Sequence, residues 1–301
     1  MADPRPIYER VFVSADESRL RAGWRVALQG AMAFGLVVCF SVPIVFVPGA
    51  LAGGAISMPA MFASAVASAV AITASVAVAR RVFDRRSFLS LGLATDRHSL
   101  PDLLIGFLIP ASQMGLVFAL EWSLGWIRWE GWAWEMAAPS AVLTGVALGL
   151  TTFILVGYQE ELLSRGYQLQ NLRDGSGLAW GVVISSTIFS LLHLSNPGTG
   201  IASTVGLFLA GVFLAFGWIR TRSLWLSIGL HIGWNFFEGT FFGFAVSGLD
   251  LETLMRHTVV GPSWATGGSF GPEAGLIMIP AYILGVLLIL LYTRNRPKIA
   301  S

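Results

Sequence analysis

Charge is scarce in this chain. Of its 301 residues only 12% are Asp, Glu, Lys or Arg, about half the share of a typical soluble domain, while 55% are hydrophobic. So few charges cannot cover a globular surface in water, and a soluble fold is excluded. Cysteine is scarcer still. The lone Cys39 lies in an apolar stretch, which excludes an intramolecular disulfide framework and a cysteine-built metal cluster. There is no low-complexity segment, no convincing internal repeat, no H-E-x-x-H and no Ser or Asp protease signature.

What the chain has instead is long apolar runs. A helix needs roughly 20 mostly apolar residues to cross a hydrocarbon core about 30 Å thick. Eight stretches qualify: 26–47, 56–79, 103–124, 140–160, 177–194, 201–219, 224–244 and 273–292. They lack the alternation of barrel strands, so the fold class is all-α, a polytopic membrane helix bundle of about eight transmembrane helices. Breaks fall at Pro48-Gly49, Arg80-Arg81, Asp174 to Gly177, Asn196-Pro197-Gly198 and Arg220 to Arg222. The expected organisation is an amino-terminal segment 1–25, a bundle over 26–292 and a tail 293–301. About 25 polar and charged residues precede the first span, which reads as an uncleaved anchor. Small-residue pairs, Gly145 with Gly149 and Gly239 with Gly243, are expected packing points.

Basic residues give the orientation, because Lys and Arg accumulate in cytoplasmic loops. The amino-terminal segment, the second-to-third, fourth-to-fifth and sixth-to-seventh loops and the tail hold seventeen of the nineteen, leaving Arg128 and Arg256 to the alternate side. Both termini are therefore expected to be cytoplasmic. Trp122, Trp126, Trp129, Trp132 and Trp134 then form an outer interfacial belt. The pI of about 9.0 reflects topology, and no nucleic-acid partner is expected. Arginine supplies all but one of the basic residues, which points to a GC-rich bacterial genome and an inner-membrane location.

An ionisable group inside a membrane is costly and is a functional candidate by default. Three clusters qualify. The first is Gln159-Glu160-Glu161-Leu162-Leu163-Ser164-Arg165, where Glu161 and Arg165 are i and i+4 and can pair while Glu160 points about 100° away. The second is Phe189-Ser190-Leu191-Leu192-His193. The third is His231-Ile232-Gly233-Trp234-Asn235, with Glu238 continuing one helical stripe. Together they hold a base for water, an acid for a leaving amine and donors for an oxyanion. Two imidazoles and a carboxylate are equally a zinc ligand set, with Glu160, His193 and His231 as the candidate ligands. Glu121 in the third span fits a proton relay, whereas His98 and His257 read as solvated loop residues.

Glu160-Glu161-x-x-x-Arg165, Phe189-x-x-x-His193 and His231-x-x-x-Asn235 appear in that order on the fourth, fifth and seventh apolar stretches, a set that resembles the CAAX protease and bacteriocin-processing (CPBP) family of intramembrane proteases. The motif-bearing resemblance covers about 140–244. It implies an eight-helix fold in which Glu160 and His193 activate water, His231 and Asn235 stabilise the oxyanion, and Glu161, Arg165 and Phe189 support the site. The expected partners are the lipid bilayer and a membrane-tethered peptide or protein substrate, whose identity and prenylation the motifs do not specify. An inactive membrane scaffold or immunity-type protein and a proton-coupled transporter are the alternatives. Asn235 suits an oxyanion better than a metal, so the metal-free site is favoured over zinc.

One geometric tension stands out. Placed symmetrically about the turn at 174–177, Glu160 and His193 lie level, yet about 25 Å from that turn, deeper than His231. Either the hairpin protrudes into the cytoplasm or a helix breaks near Asn196-Pro197-Gly198.

Overall fold

The computed structural model describes residues 6–14, 19–45, 58–249 and 251–296. It is 73% helical, and five helices are long and apolar enough to cross a membrane. This is a multi-pass membrane protein. The long elements are α1 (Ala22–Val45), α2 (Met58–Val82), α3 (Ser99–Ser123), α4 (Pro139–Ser176), α5 (Leu178–Leu191), α6 (Ile201–Thr221), α7 (Trp225–Asn235) and α8 (Met278–Tyr292). Each of the eight expected stretches overlaps one of these helices, the eighth helix starting at Met278 instead of 273. Those meeting the length and hydropathy requirement are α1 to α4 and α6, while α5 and α8 are shorter apolar helices. The break at Pro48-Gly49 lies outside the described residues.

A small sheet departs from the all-helical expectation. Strands β1 (Ile127–Trp132) and β2 (Met255–Val259) pair antiparallel, with Ile127 opposite Val259 and Trp132 opposite Met255. They lie in connections between spans, where backbone groups must pair with one another once no helix satisfies them. The tryptophans expected as a belt meet here: Trp122 contacts Trp129, Trp129 contacts Trp132, and Trp132 stacks on Trp134 with ring centroids 4.7 Å apart.

The core of the bundle is α7, and glycine puts it there. A Cβ on Gly229 or Gly233 would fall 2.2 Å from the carbonyl oxygen of Leu103 or Phe107 on α3, and one on Gly106 would lie 2.5 Å from Leu226 O on α7. On its other flank, a Cβ on Gly157 of α4 would lie 2.7 Å from the Ile232 side chain. Bare backbones thus press together on both sides of α7, which is how helices associate where lipid removes the hydrophobic drive. Of the expected pairs, Gly149 approaches Thr240 closely, whereas Gly243 has φ +83 and serves a turn after α7.

Arg25, Arg80 and Arg165, all counted as loop charge, are buried. Asp84 accepts from Arg25 Nη1 at 3.1 Å, Arg80 Nη1 at 2.8 Å and Asn171 Nδ2 at 3.2 Å, joining α1, α2 and α4. At the far end of the chain Arg296 and Tyr292 bond Asp102 at the start of α3.

Two corrections concern the hairpin. α4 continues well past the expected end at 160, through a π-helical segment Leu162–Gln168, to Ser176. α5 then stops at Leu191, so His193 sits in the turn that follows rather than on the helix, and Gly198 in that turn has φ +72. The long hairpin and the early helix end both occur, and Glu160, His193 and His231 come together.

Candidate active site

Glu160 and Glu161 are the last α-helical residues of α4 before its π segment, and Asn235 is the last of α7 before a second π segment, Phe236–Phe241. A π turn inserts a residue, so the side chains beyond it leave the face of those before it. This corrects the stripe expected from His231 through Glu238. His231 and Asn235 line the cavity, whereas Glu238 is fully buried outside its lining, and its carboxylate has no hydrogen-bond partner in the described structure.

The carboxylate of Glu161 is enclosed. Its Oε1 accepts from Arg165 Nη1 at 2.7 Å and from His231 Nδ1 at 2.8 Å, while Arg165 Nη2 reaches Gly211 O on α6 at 2.8 Å. Arg165 also lies over the Phe189 ring, 4.7 Å from its centroid, and that ring contacts the imidazoles of His193 and His231. Phe189 thus packs against the buried guanidinium and against both imidazoles.

Each imidazole is oriented from behind. His193 Nδ1 is 2.8 Å from the Phe189 carbonyl, which can only accept, so Nδ1 carries the proton and Nε2 keeps a lone pair in the neutral ring. His231 gives Nδ1–H to Glu161. Both Nε2 atoms therefore turn toward Glu160, at 3.9 Å for His193 and 3.7 Å for His231, each to the same oxygen Oε2. These gaps exceed a direct hydrogen bond. Glu160 Oε2 is buried and makes no direct hydrogen bond among the described residues.

The cavity in front of these groups has a volume of about 450 Å³. Glu160, His193, His231 and Asn235 line it together, with an otherwise mainly apolar wall from α2, α4, α6 and α7. The motifs did not point to Gln159, Asn196, Ser247 or Glu273, which also line it. Only Gln159 carried a signal, as the neighbour of Glu160. Glu121 is buried with no hydrogen-bond partner among the described residues, and it lies outside this lining.

Ligands about 2.0–2.2 Å from a tetrahedral zinc ion would stand roughly 3.4 Å from one another, and two groups sharing one water at about 2.8 Å would stand roughly 4.5 Å apart; the gaps of 3.7 and 3.9 Å fall between the two. Among the described residues, no group of three His, Cys, Asp or Glu is arranged to hold a metal ion.

His257 corrects a further expectation. It is half-buried between the rings of Phe118 and Phe244, and neither ring nitrogen has a hydrogen-bond partner in the described structure. Burial pushes its imidazole down to about 4.

Comparison with known families points to the segment that holds most of these residues. The family model described as Rce1-like, type II CAAX prenyl endopeptidase Rce1-like, matches residues 141–237. The match supports a CPBP-family intramembrane protease. It covers the segment that carries all three motifs and leaves out α1 to α3, the sheet, Glu273 and α8. No curated protein and no solved structure matches the chain. At family level the match supports a CAAX-type intramembrane endopeptidase.

Proposed function

We propose that this chain hydrolyses a peptide bond of a membrane-associated substrate with water activated by Glu160 and His193. The observation that carries the reading is the pair of imidazole Nε2 atoms turned on one oxygen of Glu160 across gaps of 3.7 and 3.9 Å, inside a mainly apolar cavity. A water held there gives one proton to Glu160 as its oxygen attacks the scissile carbonyl, while the lone pair of His193 Nε2 orients its second hydrogen. With both ring nitrogens protonated, His231 keeps Nδ1–H on Glu161 and directs Nε2–H at the developing oxyanion, joined by the Asn235 amide. When the carbon–nitrogen bond breaks, the leaving amine takes the proton from Glu160. No step passes through a metal.

In this proposal the bundle has eight spans with both termini in the cytoplasm, in a bacterial inner membrane. The position of Glu121 outside the cavity gives a proton relay no path through this site. The deciding experiment uses purified protein in liposomes with a membrane-tethered peptide. Cleavage by the wild type and its loss in Glu160→Gln support the reading. Equal turnover in the two overturns the mechanism, and a folded wild type that cleaves none of a panel of tethered peptides favours the inactive scaffold.

A further inference from the structure

The cavity extends beyond the motif residues to a second carboxylate. Glu273, in the connection before α8 and outside the 141–237 family match, is buried and lines the same cavity. Its Oε1 accepts from the Trp234 indole at 3.0 Å, and its Oε2 accepts from the Ser247 backbone N–H at 2.9 Å and the Ser247 hydroxyl at 2.6 Å. Trp234 lies on α7 immediately before Asn235. Ser247 and Gly248 are the centre of a tight turn closed by paired Val246 and Leu249, and their φ angles are +48 and +81.

Serine in the left-handed region is a strained choice, and such strain persists where surrounding contacts over-determine it. Here Glu273 grips both polar groups of Ser247 that it can reach. The turn in turn grips the segment that carries His193. Asn196 Nδ2 donates to Ser247 O at 3.0 Å, and Gly248 packs so closely on Pro197 that a Cβ would lie 2.0 Å from its carbonyl oxygen. Asn196 N is bonded to His193 O at 3.0 Å. One carboxylate thus ties the helix holding His231 and Asn235 to the turn holding His193.

We propose that Glu273 is a positioning residue of the site, which sets the spacing between the His193 turn and the His231–Asn235 face through Ser247 and Trp234. The inference rests on the reading of this cavity as the proteolytic centre. A carboxylate is required because all three donors point at it. An amide at the same place must turn its NH₂ toward either the Trp234 N–H or the Ser247 N–H, and so loses at least one bond.

The test is a double-substitution cycle in liposomes with the tethered peptide, reading kcat and KM for the wild type, Glu273→Gln, Trp234→Phe and the double variant, with Glu160→Gln as control. Glu273→Gln is expected to lower kcat roughly tenfold to a hundredfold, the span of a lost hydrogen bond to a charged group, with KM within about twofold. Trp234→Phe removes the donor that opposes the amide, so the double variant is expected to turn over at least as fast as Glu273→Gln alone. Losses that multiply as independent effects overturn the proposal, as does wild-type kcat in Glu273→Gln. Should Glu273→Gln not fold, Ser247→Gly carries the test, since it suits the left-handed φ and deletes only the hydroxyl. A several-fold fall in kcat supports the proposal, and an unchanged kcat overturns it. Wild-type turnover in Glu273→Gln beside a dead Glu160→Gln sinks this inference alone. Equal turnover of Glu160→Gln and wild type sinks the reading beneath it as well.

Discussion

Glu161→Gln is the substitution that tests the architecture of the site most directly, because one oxygen of Glu161 serves two buried donors at 2.7 and 2.8 Å. The side chains of Glu161 and Arg165 are 0% and 1% exposed, so the guanidinium has no route to water once its partner is neutral. Breaking a buried ion pair by removing one member costs about 3–5 kcal/mol, because the remaining charge is left uncompensated. The amide oxygen recovers a neutral hydrogen bond to one donor, worth about 1 kcal/mol, so a net loss of roughly 2–4 kcal/mol is expected. Hydrolysis is expected to fall by at least about 10², since His231 loses the acceptor that fixes its tautomer. Thermal unfolding in detergent and cleavage of a tethered peptide are the two assays. Replacing both members, Glu161→Leu with Arg165→Leu, separates the effects: stability is expected to return to within about 1–2 kcal/mol of wild type, while activity stays low. A Glu161→Gln protein that unfolds at the wild-type temperature would refute the account of the buried pair. Full activity in the double variant would refute the orienting role of Glu161.

The other predictions concern chemistry, packing and pH. His193→Ala is expected to reduce hydrolysis by several orders of magnitude and Asn235→Ala by about 10² to 10³, both in folded protein; a purified His193→Ala enzyme with near-normal kcat contradicts the role given to that ring. Chelator treatment is expected to leave turnover unchanged, and zinc that co-purifies near one equivalent and tracks activity through removal and reconstitution would replace the metal-free step. Gly157→Leu should separate α4 from α7, whose contact at Ile232 leaves no room for a Cβ, and lower both stability and turnover; wild-type behaviour would show that the close approach does not set the Glu160–His231 gap. For His257 the folded-state value near 4 lies below the ordinary 6.5, so the unfolded chain binds the extra proton between those limits. Stability is then constant above about pH 6.5 and falls by roughly 2–3 kcal/mol as pH drops toward 4, after allowance for solvent screening. His257→Phe should flatten that part of the stability profile, and an unchanged acid limb would count against the burial of this ring.

What could be read in advance follows from the range of each interaction. The apolar runs announced the helices because a membrane imposes a long, one-dimensional signal, and the Glu161–Arg165 contact was legible because i and i+4 meet on any helix. The relation of Glu160 to His193 was legible from the symmetry of the hairpin about 174–177 as well as from the resemblance, whereas that to His231 was legible only as a resemblance, since segments far apart in sequence must converge to make it. The two π segments escaped notice because a single inserted residue leaves no compositional trace, yet they begin immediately after Glu161 and after Asn235. The helix-periodic stripe through Glu238 failed at that insertion. Gly106, Gly229 and Gly233 look like any other small residues of apolar helices, and only the facing backbone identifies them as the contacts that hold α7 in place. Glu273 is the extreme case, an isolated acid in a loop whose partners Trp234 and Ser247 lie 39 and 26 residues away. Local pattern therefore revealed which groups are chemically unusual for a membrane, and backbone contact together with π geometry determined which of them share a cavity. That division explains why both histidines, Glu160 and Asn235 meet there, while two equally conspicuous carboxylates, Glu121 and Glu238, lie outside its lining.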